Sequence, residues 1–111
     1  MTITEREVGS ITVLNLAGKL TLDDIGMLKG KVTGLLGSGH KQIVLNLADV
    51  TYIDSSGLGE MVSCHATALR ENGAVKLANL GKRTQDLLVI TKLNMVFDVY
   101  GSEKEALASF S

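Results

Sequence analysis

The 111-residue sequence contains no proline and no tryptophan, only one cysteine, and few aromatic residues, which make up 4% of the chain. With Cys64 as the single thiol, no disulfide can form within the chain. The 11 basic and 12 acidic residues give a net charge of −1, so the basic excess typical of nucleic-acid-binding proteins is missing. The longest clear apolar run, residues 87–90, is far too short to cross a bilayer.

The first ten residues also lack the apolar stretch of a signal peptide, because Glu5, Arg6 and Glu7 stand where that stretch would lie. We therefore expect a cytoplasmic protein without a membrane segment. Hydrophobic residues make up 45% of the chain and charged residues 21%, which is ordinary for a globular domain that builds its core without disulfides or a metal. No linker or internal repeat interrupts the sequence, so we expect one domain over residues 1–111.

The order of hydrophobic patterns predicts an α/β fold. Period-two alternation predicts a hairpin of strands 2–8 and 11–16, joined by a Gly-Ser turn. The remaining predicted elements are helix 22–36, strand 42–47, helix 54–71, strand 74–80, helix 84–91, a short strand in 95–100 and helix 102–110. Strands that alternate with helices indicate parallel crossovers, so we predict a mixed sheet of four or five strands with about four helices packed on it.

Three helices have apolar positions at three- and four-residue spacing, which predicts their buried faces. These faces are Leu22, Ile25, Leu28, Val32, Leu35 and Leu36 in the first helix, Leu58, Met61, Val62, His65, Ala66 and Leu69 in the second, and Leu87, Leu88, Ile90 and Thr91 in the third. The second helix is predicted to turn Glu60, Ser63, Thr67 and Arg70 to solvent, with Cys64 at its edge. Thr21 or Asp23 is expected to cap the first helix.

The segment Asp54-Ser55-Ser56-Gly57-Leu58-Gly59 is unusual because serines and glycines gather where a strand passes into a helix. Ser55 or Ser56 is the expected N-cap. The next three residues, Gly57, Leu58 and Gly59, would then present free backbone N–H groups at the positive end of the helix, where an anion is accepted readily. An ordinary helix cap without a ligand explains the same pattern, so both interpretations stay open.

Residues 45–59, Leu-Asn-Leu-Ala-Asp-Val-Thr-Tyr-Ile-Asp-Ser-Ser-Gly-Leu-Gly, resemble the hallmark stretch of the STAS domain, in particular that of the bacterial anti-sigma factor antagonists. The resemblance extends over nearly the whole chain. It includes the opening hairpin, Gly18-Lys19-Leu20 before the first helix, Lys76-Leu77 in a later strand, and Leu93 with Val96-Phe97 near the end. It implies a single STAS-like domain and a regulatory role without enzymatic activity.

In that family, the unphosphorylated protein binds an anti-sigma factor that is also a serine kinase with a histidine-kinase-like ATPase fold, and this frees the sigma factor. Phosphorylation of the serine before the glycine ends the binding, and a phosphatase of the PP2C type restores it. Carried over, the resemblance implies Ser56 as the phospho-acceptor, with Ser55 as the second choice. The implied partner-binding residues are Asp54, Ser55, Gly57, Leu58, Gly59, Gly18, Lys19, Leu20 and Thr21.

Two positions depart from the family pattern. Thr21 stands where the family often has an acidic residue, and Asn46 stands in a strand that usually ends in Leu-Asp-Leu.

Catalytic and metal sites are not supported by the sequence. A nucleophile elbow needs glycine two residues before the serine, and positions 53 and 54 are Ile and Asp. Cys64 and His65 are adjacent on a helix and so point in different directions, which argues against a shared metal ion. We expect His65 to be a packed core or edge residue. The sequence therefore predicts no enzyme activity, no metal and no cofactor.

A hypothesis of a different class is a STAS scaffold or regulatory subunit of a larger signalling or transport assembly, without sigma-factor control. Self-association would favour this hypothesis. A monomer or weak dimer that binds one kinase of histidine-kinase fold would favour the switch.

Overall fold

Five strands and four helices follow one another in the order that the sequence predicts. The computed structural model describes residues 1–110. Its strands are β1 (Thr2–Val8), β2 (Ile11–Leu20), β3 (Gln42–Ile53), β4 (Ala74–Ala78) and β5 (Asp98–Tyr100). Its helices are α1 (Met27–Gly37), α2 (Ser55–Arg70), α3 (Lys82–Ile90) and α4 (Glu103–Ala108), with 3-10 turns at Leu22–Asp24 and Leu93–Met95. The α/β class with a mixed sheet is thereby confirmed.

The sheet has the strand order β1-β2-β3-β4-β5. The first two strands are antiparallel and the others are parallel. Each parallel crossover moves one strand along in the same direction, and right-handed crossovers then place α1, α2 and α3 on one face. The main core lies under these helices, while a small second cluster of Val13, Val44, Ala78 and Ala106 lies under α4 on the other face.

Strands β2 and β3 are longer than predicted. The second strand was predicted to end at residue 16, but β2 continues through Gly18, at φ +97°, with a shift in register and pairs Leu20 with Ile53 of β3. Glycine adopts this left-handed conformation without steric cost, so the chain kinks and keeps its pairing. The two strands therefore end side by side, next to the start of α2.

The predicted first helix is wrong at its start. Residues 22–24 form a 3-10 turn, and α1 begins only after Gly26, at φ +92°. Neither Thr21 nor Asp23 caps a helix through its side chain. Because the left-handed glycine breaks the helical phase, Leu22 and Ile25 leave the core and are 63% and 52% exposed.

The predicted buried face of α2 is also partly wrong. Leu58 and Met61 are buried as expected, but Leu69 is 59% exposed. In its place the helix buries Glu60, Cys64, Thr67 and Ala68. Helix α2 packs against both α1 and β4, and small side chains allow this close approach. Cys64 is therefore a core residue and not an edge residue, and burial raises the pKa of its thiol to about 12.

The predictions for His65 and for the buried face of α3 have different outcomes. The ring of half-buried His65 meets Phe97 edge-on at 5.5 Å between centroids, which confirms it as a packed residue. In α3, Leu88 is buried, but Ile90 is 78% exposed although it was predicted to face the core.

Asn46 of β3 is hydrogen-bonded to β2, to the residue that follows β4 and to α4, on the face opposite α2. Its Nδ2 donates to Asn15 Oδ1 at 2.9 Å and to Glu103 Oε1 at 3.4 Å, while its Oδ1 accepts from Asn79 Nδ2 at 3.1 Å. The departure from the Leu-Asp-Leu pattern therefore serves the sheet, because an amide both donates and accepts here, whereas an ionised aspartate only accepts.

We expect Asn46→Asp to lower the free energy of unfolding by about 1–3 kcal/mol, since it removes the donor to Asn15 and brings a second carboxylate beside Glu103. Urea denaturation followed by circular dichroism measures the change. Asp49→Asn, at an exposed position of the same strand, is the matched control. Equal stability of the Asn46→Asp variant and the wild type would contradict this account of the polar network.

Candidate functional site

Asp54 stands between the end of β3 and the start of α2, and it makes the N-cap that was predicted for Ser55 or Ser56. Its Oδ1 accepts a hydrogen bond from the Gly57 amide at 2.8 Å, and its Oδ2 accepts one from the Leu22 amide at 3.1 Å. Its own amide donates to Leu20 O at 3.2 Å. The hydrogen bond from Gly57 is the main cause that holds the pKa of Asp54 below its usual value. The carboxylate of Asp54 thus connects the 3-10 turn to α2, and its backbone amide connects both to β2.

The two glycines of the motif have different surroundings. A Cβ atom on Gly57 would lie 2.2 Å from Leu20 O, so only glycine permits the start of α2 to touch the end of β2. A Cβ atom on Gly59 would meet nothing within 4 Å, and this exposed residue leaves the helix backbone open to an approaching molecule.

The predicted anion site of free amides is not present in the form expected. The Gly57 amide donates to the Asp54 side chain, and the Leu58 amide donates to Asp54 O at 3.0 Å. The capping carboxylate already occupies the positive end of the helix dipole. Leu58 is buried and supports the site from below.

The two serines line different depressions of the surface. Half-buried Ser56 lies in a groove between α2 and the start of α1, here called the Ser56 groove and lined by Leu22, Ile25, Gly26, Lys29, Ser56, Gly59, Glu60 and Ser63. Exposed Ser55 lies in a cleft between the end of β3 and α3, together with Lys82 and Arg83. A modification of one serine would therefore face different neighbours from a modification of the other.

Of the partner-binding residues predicted in and just after β2, only some lie near the two serines. Leu20 is buried in contact with Gly57, and half-buried Thr21 directly precedes Leu22. Lys19 is exposed and paired with Tyr52 in the sheet, while Gly18 is paired with Val50, further from α2. The structure thus brings Leu20 and Thr21 to the serine pair and places Gly18 and Lys19 along the adjoining strand.

Two features of the site escaped the sequence analysis. The first is an exposed apolar rim of Leu22, Ile25 and Met27, which the periodicity assigned in part to the core. The second is Glu60, which is buried in the Ser56 groove and not turned to solvent as predicted. A signal for Glu60 was present, because it follows Ser56 by four residues and so shares its helix face.

Within residues 1–110, no cluster of three or more histidine, cysteine or acidic side chains is arranged to hold a metal ion. None of the helices described combines the length and the hydropathy needed to span a membrane.

Comparisons with known proteins agree on one family. The sequence model of the STAS domain matches residues 2–106. The chain is 33% identical over 86 residues to the anti-sigma-B factor antagonist of Bacillus subtilis, covering 78% of each protein. A crystal structure described as a candidate anti-sigma factor antagonist of Thermotoga maritima superposes with a TM-score of 0.90, at 24% identity over 96% of this chain and 92% of that chain.

The Bacillus cell fate determinant SpoIIAA, in its phosphorylated form, is similar with a TM-score of 0.76, at 19% identity over 99% of this chain and 100% of that chain. At these identities, both structural likenesses establish the fold alone.

We expect Gly57→Ala to lower the free energy of unfolding by about 1–3 kcal/mol, because the new methyl group would overlap Leu20 O. Gly59→Ala is the matched control and should raise it by up to about 1 kcal/mol, since alanine favours the helix and has open space. Urea denaturation of both variants measures the difference. Similar effects of the two substitutions would exclude the proposed contact between Gly57 and Leu20.

The lowered pKa of Asp54 predicts how the stability of the fold depends on pH. Because the pKa of Asp54 is lower in the folded chain than in the unfolded chain, its stabilisation is complete above the ordinary aspartate range, about pH 4, and is lost as the pH falls through the folded pKa. The Tm of Asp54→Asn should thus lie below that of the wild type at pH 7, and the gap should narrow below about pH 4. A gap that stays constant with pH would show that charge is not involved.

Proposed function

The chain belongs to the STAS domain family, and we propose that it acts as an anti-sigma factor antagonist whose binding is switched off by phosphorylation of Ser56. The position of Ser56 carries the proposal. Its side chain lines an open groove beside exposed Leu22 and Ile25. A docked protein can therefore reach this hydroxyl without rearranging the helix.

The surface around Ser56 suits a protein partner. The apolar rim of Leu22, Ile25 and Met27 is 44–63% exposed, and contiguous exposed apolar residues mark interaction sites. Gly59 allows a close approach of the partner to the backbone of α2. The relationship to the Bacillus subtilis antagonist supports an anti-sigma factor as the partner, and the phosphorylated SpoIIAA structure supports phosphorylation as the means of control.

A phosphate on Ser56 would change the surface more than the fold. It adds about −1.5 to −2 charges at neutral pH. The Gly57 amide is already held by Asp54, so it is not free to bind the phosphate, which stays at the surface. In the complex with a kinase it would face the phosphates of the spent nucleotide, and like charges would separate the two proteins. The domain keeps its stability because Ser56 contributes nothing to the buried core.

The remaining parts of the proposal follow from the family. The partner would be an anti-sigma factor that is also a serine kinase of histidine-kinase-like ATPase fold, and a PP2C-type phosphatase would reverse the modification. The chain itself would act in the cytoplasm without catalysing a reaction, as a monomer or weak dimer. Ser56 is preferred to Ser55, because Ser55 lies in the other cleft, away from the apolar rim.

The proposal is tested by incubating the chain with ATP and purified anti-sigma factor kinases. The set includes kinases from its source organism and the Bacillus subtilis anti-sigma-B factor, which the name of the relative identifies as its target. Intact mass and peptide mapping should show one phosphate on Ser56. Ser56→Ala should remain unmodified, while Ser55→Ala, the matched control, should be modified as the wild type is.

The effect on binding provides a second test. Ser56→Asp should weaken kinase binding by about tenfold or more, or ~1.4 kcal/mol, because it places a negative charge at the centre of the interface. Its Tm should stay close to that of the wild type. Failure of every kinase to modify Ser56, together with stable binding that ATP does not affect, would favour an unregulated scaffold. A collapse of the Tm would show that loss of binding results from unfolding.

A further inference from the structure

A buried carboxylate lies in the Ser56 groove, one helical turn after Ser56. Glu60 is only 5% exposed, although glutamate is rarely buried without a partner. Its Oε1 accepts a hydrogen bond from the amide of Gly26, where α1 begins. Its Oε2 is also buried, and among residues 1–110 it has no hydrogen-bond partner. The wall of the groove thus contains a buried acceptor oxygen that the described part of the chain does not satisfy, and a partner side chain reaches it when the side chains that cover it move aside.

The basic side chain of this groove uses one of its three N–H donors on a serine hydroxyl. Lys29 lines the groove, but its Nζ donates to the hydroxyl of Ser63. No ion pair within the described residues includes Glu60. A carboxylate oxygen can only accept hydrogen bonds, so the missing partner must be a donor. A cationic donor suits it best, because hydrogen bonds between ionised groups are the stronger ones.

We propose that Glu60 receives a basic side chain, an arginine guanidinium or a lysine ammonium, from the protein partner that docks over Ser56. This inference rests on the proposed function, since it concerns the same docking surface. Ser56 and Glu60 share one helix face, so a group that reaches the hydroxyl is also close to the carboxylate. Exposed Leu22 and Ile25 flank the groove and would shield the ion pair from water on docking. Glu60 thereby selects partners that carry a positive charge at this point.

The chemistry is tested with N-acetyl-arginine amide and its neutral counterpart N-acetyl-citrulline amide, which differ in charge but hardly in shape. Nuclear magnetic resonance follows the Gly26 amide and the Glu60 side chain during titration. The arginine compound should shift both signals in the wild type at least about fivefold more than the citrulline compound. Glu60→Gln should abolish that difference. Glu71→Gln, at an exposed position just after α2, is the matched control and should retain it.

A competing explanation is that Lys29 turns from Ser63 to Glu60 and satisfies it within the chain. Lys29→Met removes this cation and should leave binding of the arginine compound unchanged or stronger. Shifts that persist in Glu60→Gln, or that are equal with citrulline, would overturn the proposal. Absence of binding in both the wild type and Lys29→Met would also overturn it and would leave Glu60 the single role of holding the start of α1.

Binding of the protein partner provides a second test of the role of Glu60. With a kinase that modifies Ser56, Glu60→Gln should weaken binding about tenfold, and Glu71→Gln should not. Equal affinities of the wild type and Glu60→Gln would overturn the inference while leaving the phosphorylation switch in place. The arginine titration contains no kinase, so it decides the role of Glu60 even if no kinase modifies Ser56.

Discussion

The carboxylate of Asp54 is the interaction on which the geometry of the serine pair depends. It accepts hydrogen bonds from the amide of Gly57, at the start of α2, and from the amide of Leu22, after β2. The end of β3, the 3-10 turn and α2 therefore meet at one side chain. Because these bonds compensate the positive end of α2, the helix can begin directly after β3. The two serines that follow do not cap the helix, so their hydroxyls remain available to other molecules.

Close packing beneath the site adds a second constraint. Gly57 lies against the backbone of Leu20, so the start of α2 cannot move inward without overlap or outward without losing that contact. The 3-10 turn that Asp54 holds in place then presents Leu22 and Ile25 to solvent beside Ser56. A closely packed helix start and exposed apolar side chains thus occur together, a combination that favours docking of a partner.

The two acidic side chains of the site, Asp54 and Glu60, stabilise the starts of two helices. Asp54 and Glu60 face backbone amides and serve the two helices, one at the start of α2 and one at the start of α1. Ser56 lies between them in the sequence and lines the groove. A phosphate there would add negative charge to a surface whose fold is already secured by other groups, which is the arrangement that a reversible switch requires.

The sequence by itself determined the order of the elements and the α/β class, and it indicated where the candidate site lies. These depend on local patterns, since alternation, helical periodicity and a serine-glycine junction are properties of neighbouring residues. Tertiary structure decided which residue caps α2, which face of α2 is buried, and that Leu22 and Ile25 are exposed. Those outcomes depend on Gly26 breaking the helical phase, on Gly57 touching β2, and on α1 packing over Glu60. The contacts of Leu22 with Asp54 and of Gly26 with Glu60 join residues more than 30 positions apart, and no local pattern records such contacts.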